Sequence, residues 1–246
     1  MATVTTLGFI GLGVMGEPMC RNLALKSSRA VVAYDRRPEP LQALARDGVA
    51  VAASAAEVVE RAFAARGAPF ADAPVARTAQ AARDGTLSIM VGCDPALFER
   101  LRPLLACIGS EVTHCGPVGA GQAVKLMNNM VVAQTVVALA EALAVARASG
   151  AVDPKILFET LTKGSADSFV LRNHGLKALL PDRHPTEGAF PTTYIIKDLS
   201  YAIGLADECG LTLEQASTTR RLMERTKALG FADNYYTAVI NAIARR

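Results

Sequence analysis

No Cys-x-x-Cys pair, no His-Glu-x-x-His run and no basic block longer than a pair occurs in this 246-residue sequence. Each absence removes a class of function. The five cysteines (Cys20, Cys93, Cys107, Cys115, Cys209) are odd in number and widely spaced. That argues against a disulfide framework or a structural zinc site and for a reducing compartment. His114, His174 and His184 are too dispersed to form a ligand set, so no metal is expected. Net charge is only +3, with Lys and Arg scattered and never interleaved with aromatics, which leaves no footprint for nucleic acid. The N-terminus has no positive region, and glycines break its first apolar run at once, so no secretory leader is expected. Met127 to Ala148 is the most apolar stretch, yet it contains Asn128, Asn129, Gln134, Glu141 and Arg147. It reads as a buried or half-buried helix rather than a membrane span. These exclusions leave a soluble, cytoplasmic chain with no membrane partner as the expectation.

What is present is globular in composition, 51% hydrophobic and 20% charged, and long enough for one large domain or two modest ones. Short apolar runs at Leu7–Ile10, Ala30–Tyr34, Val49–Val51, Leu87–Val91 and Glu111–His114 read as strands. Helical patterns at Glu17–Lys26, Leu41–Arg46 and Ala55–Arg66 alternate with the first of them, which predicts an α/β layered domain with a largely parallel sheet. From Gly119 the texture changes. Helical periods dominate at roughly 120–149, 154–162, 168–180, 192–209, 213–229 and 235–245, separated by Gly and Pro breakers. The expected division is an α/β domain over 1–118 and an all-helical domain over 119–246.

The turn after the first strand is Gly11-Leu12-Gly13-Val14-Met15-Gly16, and Asp35 closes the second strand 19 residues after Gly16 (35 − 16). Strand, glycine turn, helix and acidic residue in this order form the dinucleotide-binding fingerprint. Gly11 permits the tight turn, Gly13 lets backbone approach a pyrophosphate, and Gly16 allows close helix packing. The helix N-terminus presents unpaired N–H groups to the anion. Asp35 suits the ribose hydroxyls of NAD, while Arg36 and Arg37 directly after it keep NADP open. The alternative is a glycine-rich turn that holds no ligand.

A second constellation lies at Gly119-Ala-Gly121-Gln-Ala-Val-Lys125-Leu-Met-Asn128-Asn129. On a helix, Lys125 shares one face with Asn128 and Asn129. A lysine near the start of an apolar helix is open to desolvation, which lowers its pKa toward the range of a proton donor at neutral pH. A snorkelling lysine with asparagines bonded to loop backbone is the other reading of the same residues.

Four ordered motifs carry a family resemblance: Phe9-Ile-Gly-Leu-Gly-Val-Met-Gly-Glu-Pro-Met19, Asp72-Ala-Pro-Val75, the glycine–lysine–asparagine run, and Lys197-Asp198-Leu199. Together they resemble the β-hydroxyacid dehydrogenases, which include 3-hydroxyisobutyrate dehydrogenase and tartronate semialdehyde reductase. The resemblance covers nearly the whole chain. It implies an NAD(P)-dependent oxidoreductase acting on a small anionic β-hydroxyacid or its semialdehyde. Lys125 would be the general acid/base, with Asn129, and Asn128 beside it, orienting lysine or substrate. It brings Lys197, toward the cofactor, and Asp198 to the active site from the helical domain, and places Phe169 and Asn173 near the pocket by approximate family position. Without the resemblance, Lys197-Asp198 reads as an exposed helical charge pair.

The usual family loop after Asp-Ala-Pro-Val is Ser-Gly-Gly, whereas this chain has Ala76-Arg77-Thr78. Arg77 offers a forked cation and Thr78 a hydroxyl for a substrate anion, similar to the sulfolactaldehyde reductase branch. A second departure concerns length. Between Val51 and Phe70 there is room for one helix, where the family has two further βα units, so the sequence reads as a Rossmann-type domain abridged around 58–61. A shortened relative of this kind could instead serve as a non-enzymatic binding or scaffolding dimer. The long apolar helix near 124–148 predicts a homodimer or homotetramer.

Overall fold

A computed structural model describes residues 6–55, 57–58 and 70–243. Two compact units divide the chain, Met1–Lys125 and Leu126–Arg246. Compactness therefore changes inside a helix, seven residues past 118 (125 − 118), whereas the sequence texture changes before that helix begins.

The first unit opens with β1 (Thr6–Ile10), α1 (Gly16–Lys26), β2 (Ala30–Tyr34), α2 (Pro38–Ala45) and the two-residue β3 (Ala50–Val51). These strands pair in parallel in the order β1-β2-β3, with Thr6 opposite Ala30 and Val32 opposite Ala50. Ser54 and Glu57 then form a reciprocal cap: Ser54 Oγ accepts from Glu57 N, and Glu57 Oε2 accepts from Ala53 N at 2.7 Å. The helix expected over 55–66 and most of the expected seam at 58–61 lie outside the described residues.

The chain returns as β4 (Val75–Ala76), α3 (Ala79–Asp84), β5 (Leu87–Gly92), α4 (Pro95–Leu105) and β6 (Gly109–Gly116). These strands make a second sheet, β4-β5-β6, in which β4 runs antiparallel and β6 parallel to β5. The expected largely parallel sheet is thus two three-stranded sheets. The run around Phe70 supplies no strand beyond an isolated antiparallel bridge of Asp72 with Gly92. One hydrophobic cluster nevertheless joins both sheets. It gathers Leu12, Leu23, Val31 and Leu44 with Leu87, Ile89, Val91 and Phe98. Buried Asn22 of α1 reinforces the junction, donating from Nδ2 to the carbonyl oxygens of Ala82 and Arg83 at 2.9 and 3.2 Å.

α5 (Ala120–Ser149) starts in the first unit and continues into the second. Among the described residues it alone is long and apolar enough to cross a membrane by length and composition, and 44% of its most apolar window is buried within the protein. The second unit adds α6 (Pro154–Leu161), α7 (Leu171–Leu179, wound as a π-helix), α8 (Thr192–Glu208) and α9 (Glu214–Thr226). A short π turn at Lys227–Phe231 and a 3-10 segment at Tyr236–Ala242 close it. Its core is built from Leu139, Leu143, Phe158, Leu171, Leu179, Ile195, Leu199 and Met223. The expected helical spans agree with these to within a few residues. Residues 244–246, the end of the last expected helix, lie outside the described residues.

Candidate functional site

In the first unit, the β1–α1 turn is tied to the end of β2. Gly11 N donates to Tyr34 O at 3.0 Å, and Leu12 N donates to Asp35 Oδ2 at 2.6 Å. Asp35 Oδ1 accepts from Arg37 N at 2.9 Å and Arg37 Nε at 3.2 Å, while Arg37 Nη2 donates to Leu12 O. The backbone N–H of Arg37, that of Leu12 and then the Arg37 guanidinium hold the Asp35 carboxyl down to about 2. Asp35 is therefore an anion at any working pH.

These residues surround a cleft of about 470 Å³ lined by Ile10, Gly11, Gly13, Tyr34, Asp35, Arg36 and Arg37. The glycines have separate reasons to be there. Gly11 has φ +93°, and a Cβ on Gly16 would overlap the Gly11 carbonyl oxygen. A Cβ on Gly13 would meet nothing within 4 Å, so the protein's own packing does not require glycine there. The backbone N–H groups of Gly13 and Val14 find no acceptor among the described residues, and neither does the Arg36 guanidinium. This donor set fits a dinucleotide: free amides at the N-terminus of α1 for a pyrophosphate, and a carboxylate beside a cation for the ribose.

Arg77 and Thr78 lie between β4 and α3. Arg77 has φ +87°, a left-handed conformation, at the position where the family loop carries its first glycine. An arginine therefore occupies a backbone conformation that favours glycine. Its Nη1 donates to Thr86 O at 2.6 Å and to Ser110 Oγ at 3.0 Å. The Thr78 hydroxyl oxygen caps α3 by accepting from Ala81 N at 3.3 Å. Both side chains thus have partners within the chain. An anion there would meet the remaining nitrogens of exposed Arg77. Lys125 sits half-buried in the second turn of α5, at the end of the same unit.

The second unit holds the other polar cluster. Asn129 and Asp198 are 8% and 9% exposed, and Asn129 Nδ2 donates to Asp198 Oδ2 at 2.6 Å. Asn129 Oδ1 accepts from Asn128 Nδ2 at 3.0 Å. The Asn129 carboxamide is held at both ends, which fixes its orientation. Asp198 Oδ1 lies 3.4 Å from Lys197 Nζ, and that ammonium sits 5.5 Å from the Tyr194 ring centroid. The exposed charge pair is therefore half right: Lys197 is exposed, and Asp198 is buried against Asn129.

Phe169 is exposed and stacks edge-on against His174, which contacts the rings of Tyr235 and Tyr236. His174 Nδ1 and the Tyr235 hydroxyl share a hydrogen bond. Burial, and then Lys177, push His174 down to about 4, while burial pushes Tyr235 up to about 12. Sequence reasoning did not anticipate this aromatic cluster or Tyr194. The Tyr194-x-x-Lys197 spacing was the available signal for the latter. No group of three His, Cys, Asp or Glu side chains gathers for a metal among the described residues.

Comparison with known proteins agrees along the chain. Residues 119–243 match the family model described as NAD-binding of NADP-dependent 3-hydroxyisobutyrate dehydrogenase. Residues 6–63 and 56–116 both match the NAD binding domain of 6-phosphogluconate dehydrogenase, in two stretches that meet around the expected seam. 2-Hydroxy-3-oxopropionate reductase of Escherichia coli K12 is 30% identical, covering 96% of each chain. Mitochondrial 3-hydroxyisobutyrate dehydrogenase of Mus musculus is 29% identical over 293 positions, covering 97% of this chain and 87% of the relative. With 246 residues against 293 positions, at least 47 positions of that alignment (293 − 246) have no residue of this chain. Among solved structures, Mycobacterium tuberculosis 3-hydroxyisobutyrate dehydrogenase with L-serine superposes at TM-score 0.81 with 27% identity, covering 99% of this chain and 100% of that one. An imine reductase from Pseudomonas sp. is 12% identical at TM-score 0.51 and shares the fold alone.

Proposed function

The chain belongs to the 3-hydroxyisobutyrate dehydrogenase family of NAD(P)-dependent oxidoreductases, and from that premise we propose that it interconverts a small anionic β-hydroxyacid and its semialdehyde, with Lys125 as general acid and base. The observation that carries the reading is the cleft where Gly11, Gly13 and Asp35 meet. At position 13 the protein's own packing leaves open space, which supports close approach of a pyrophosphate to the backbone.

When bound, the nicotinamide supplies or accepts the hydride. The amides of Gly13 and Val14 receive the pyrophosphate, and Leu12, Met15 and Gly16 shape the turn around it. Asp35, held ionised by Arg37 and Leu12, accepts from the ribose hydroxyls and opposes a 2′-phosphate. NAD is therefore the proposed cofactor. Arg36 gives NADP a secondary route. In reduction, Lys125 gives its proton to the carbonyl oxygen; in oxidation it takes the hydroxyl proton back. Asn129, fixed between Asn128 and Asp198, orients the reacting oxygen, and Lys197 supports the cofactor. Arg77 anchors the remote anion through the nitrogens that Thr86 and Ser110 leave open, with Thr78 and Phe169 beside the substrate. A sulfonate suits this fork as well as a carboxylate. Val131, Ala138 and Val145 recur every seven residues on exposed positions of α5, which supports assembly into a homodimer or homotetramer.

A second reading is favoured by the positions missing from the family alignment. In it the chain is a binding or scaffolding dimer that has lost hydride transfer. Turnover decides between them. NADH oxidation at 340 nm with short carboxylate and sulfonate semialdehydes, for the parent and for Lys125→Ala, is the experiment. The enzyme reading expects parent activity and a loss of about 100-fold or more in the variant. Equal rates would remove Lys125 from the mechanism, and a parent inactive on every substrate would support the scaffold.

A further inference from the structure

We propose that Asp72 is a positioning residue for Lys125, acting through the first turn of α5; the inference rests on the lysine role given above. α5 begins at Ala120 directly after Gly119, which has φ +95° and no side chain to cap the helix. The missing acceptor comes from 47 residues earlier in the chain. Asp72 Oδ1 accepts from Gly119 N at 2.6 Å, and Asp72 Oδ2 accepts from Gln122 N at 2.8 Å. One carboxylate thereby satisfies two of the N–H groups that a helix start leaves without intrahelical partners.

The socket is built for this. Asp72 is 9% exposed, and its backbone is bonded both ways to Gly92, at 3.1 and 2.8 Å. A Cβ on Gly92 would overlap Asp72 Oδ1, and a Cβ on Gly121 would come within 2.7 Å of Asp72 Oδ2. Both glycines leave room for the carboxylate between β5 and the start of α5. Lys125 follows Gln122 by three residues, so it rides on the turn that Asp72 fastens. A register slip of one residue at a helix start displaces the next turn by about 1.5 Å along the axis and turns it by about 100°. That is enough to carry a proton donor out of reach of a carbonyl oxygen.

Where other helices of the chain carry a side-chain cap, as α3, α4 and α6 do, the capping residue is local. Asp94 caps α4 by accepting from Ala96 N and Leu97 N, and α4 carries no proposed catalytic group. Asp94→Ala is therefore the control for a lost cap as such. The experiment compares Asp72→Asn, which leaves only one of the two acceptor oxygens, with Asp94→Ala by steady-state kinetics at 25 °C and by amide hydrogen exchange. Asp72→Asn is expected to lower kcat by about 10- to 100-fold with KM and cofactor Kd nearly unchanged, and to speed exchange in 119–125 while 136–146 stays protected. Asp94→Ala is expected to lower the melting temperature and leave kcat alone. If Asp72→Asn does not fold, Asp72→Ser, whose hydroxyl still accepts one N–H, is measured the same way. Unchanged kcat or unchanged exchange at 119–125 overturns the proposal. Faster exchange at 119–125 in Asp72→Asn, together with turnover that survives Lys125→Ala, would show the cap to be real and the lysine reading wrong, and would end the positioning role with it.

Discussion

The two units of this protein were built under different constraints, and the difference shows in how each meets a shortened sequence. The helical unit has a continuous core, and all the helices its sequence announces are present among the described residues. The α/β unit has two three-stranded sheets where its relatives' family has one nucleotide-binding domain. A helix closes its hydrogen bonds within itself, so neighbouring segments can change without unmaking it. A strand bonds to its neighbours in the sheet, so each three-stranded sheet carries two edge strands. The chain meets this by sharing one core across both sheets and by fastening α1 to α3 through Asn22. What survives of the nucleotide site is the part that a single βαβ unit can make alone, the glycine turn with Asp35.

The largest test of that contrast lies on the helical side. Asp198→Ala leaves the Asn129 carboxamide donor buried without its partner, a loss of about 1–3 kcal/mol. Turnover should fall roughly 10- to 100-fold, while NADH affinity, which rests mainly on the glycine turn and Asp35, changes far less. A matching loss of NADH affinity, read by fluorescence titration, would mean that the units do not divide the work in this way. Next in size is Asp35→Ala on the α/β side. It should weaken NAD binding about tenfold and weaken NADP binding less, narrowing any preference between them. An unchanged NAD affinity would place the ribose elsewhere.

Acid separates the units in order. His174 sits at about 4 against an ordinary 6.5 because it is buried neutral. As pH falls from 6.5 toward 4, the unfolded chain takes a proton that the folded helical unit refuses, and stability drops across that window. Asp35 has the opposite type of shift, from 3.8 to about 2. Its contribution is present above pH 3.8 and is lost only as pH falls toward 2. Melting curves should therefore show a fall between pH 6.5 and 4 that His174→Phe flattens. A fall of equal size in that variant would remove His174 as its cause.

The smallest expected effect is at Arg77. Glycine at this position relieves a positive φ that costs about 1 kcal/mol, but it also removes the bonds to Thr86 and Ser110. Arg77→Gly should shift the melting temperature by only a few degrees while raising KM for an anionic substrate. An unchanged KM would leave Arg77 as a strut between β4, β5 and β6.

Much of this was readable from residues alone. The glycine turn, Asp35, the long helix and the helical half follow from local patterns, and the structure puts Leu12 and Asp35 in direct contact. Two helices went unread. α3 is only six residues long, and α4 carries Pro103 in its interior, which hides the helical period even though Asp94-Pro95 marks its start. The split into two sheets could not be read, because strand pairing is set by partners distant in the chain. The burial of Asp198 has the same origin: its partner Asn129 is 69 residues away. The cap of α5 by Asp72 is likewise non-local, since nothing near Gly119 in sequence announces it.

The central claim is that the shortened α/β unit still holds a dinucleotide on its glycine turn, and Gly13→Ala tests it most directly. Since a Cβ at this position meets no atom of the protein within 4 Å, the substitution reports on the ligand rather than on packing. The account predicts saturable NADH binding by the parent, weakened about tenfold or more in Gly13→Ala without a lowered melting temperature. Equal binding by both proteins, or none by the parent, would contradict it.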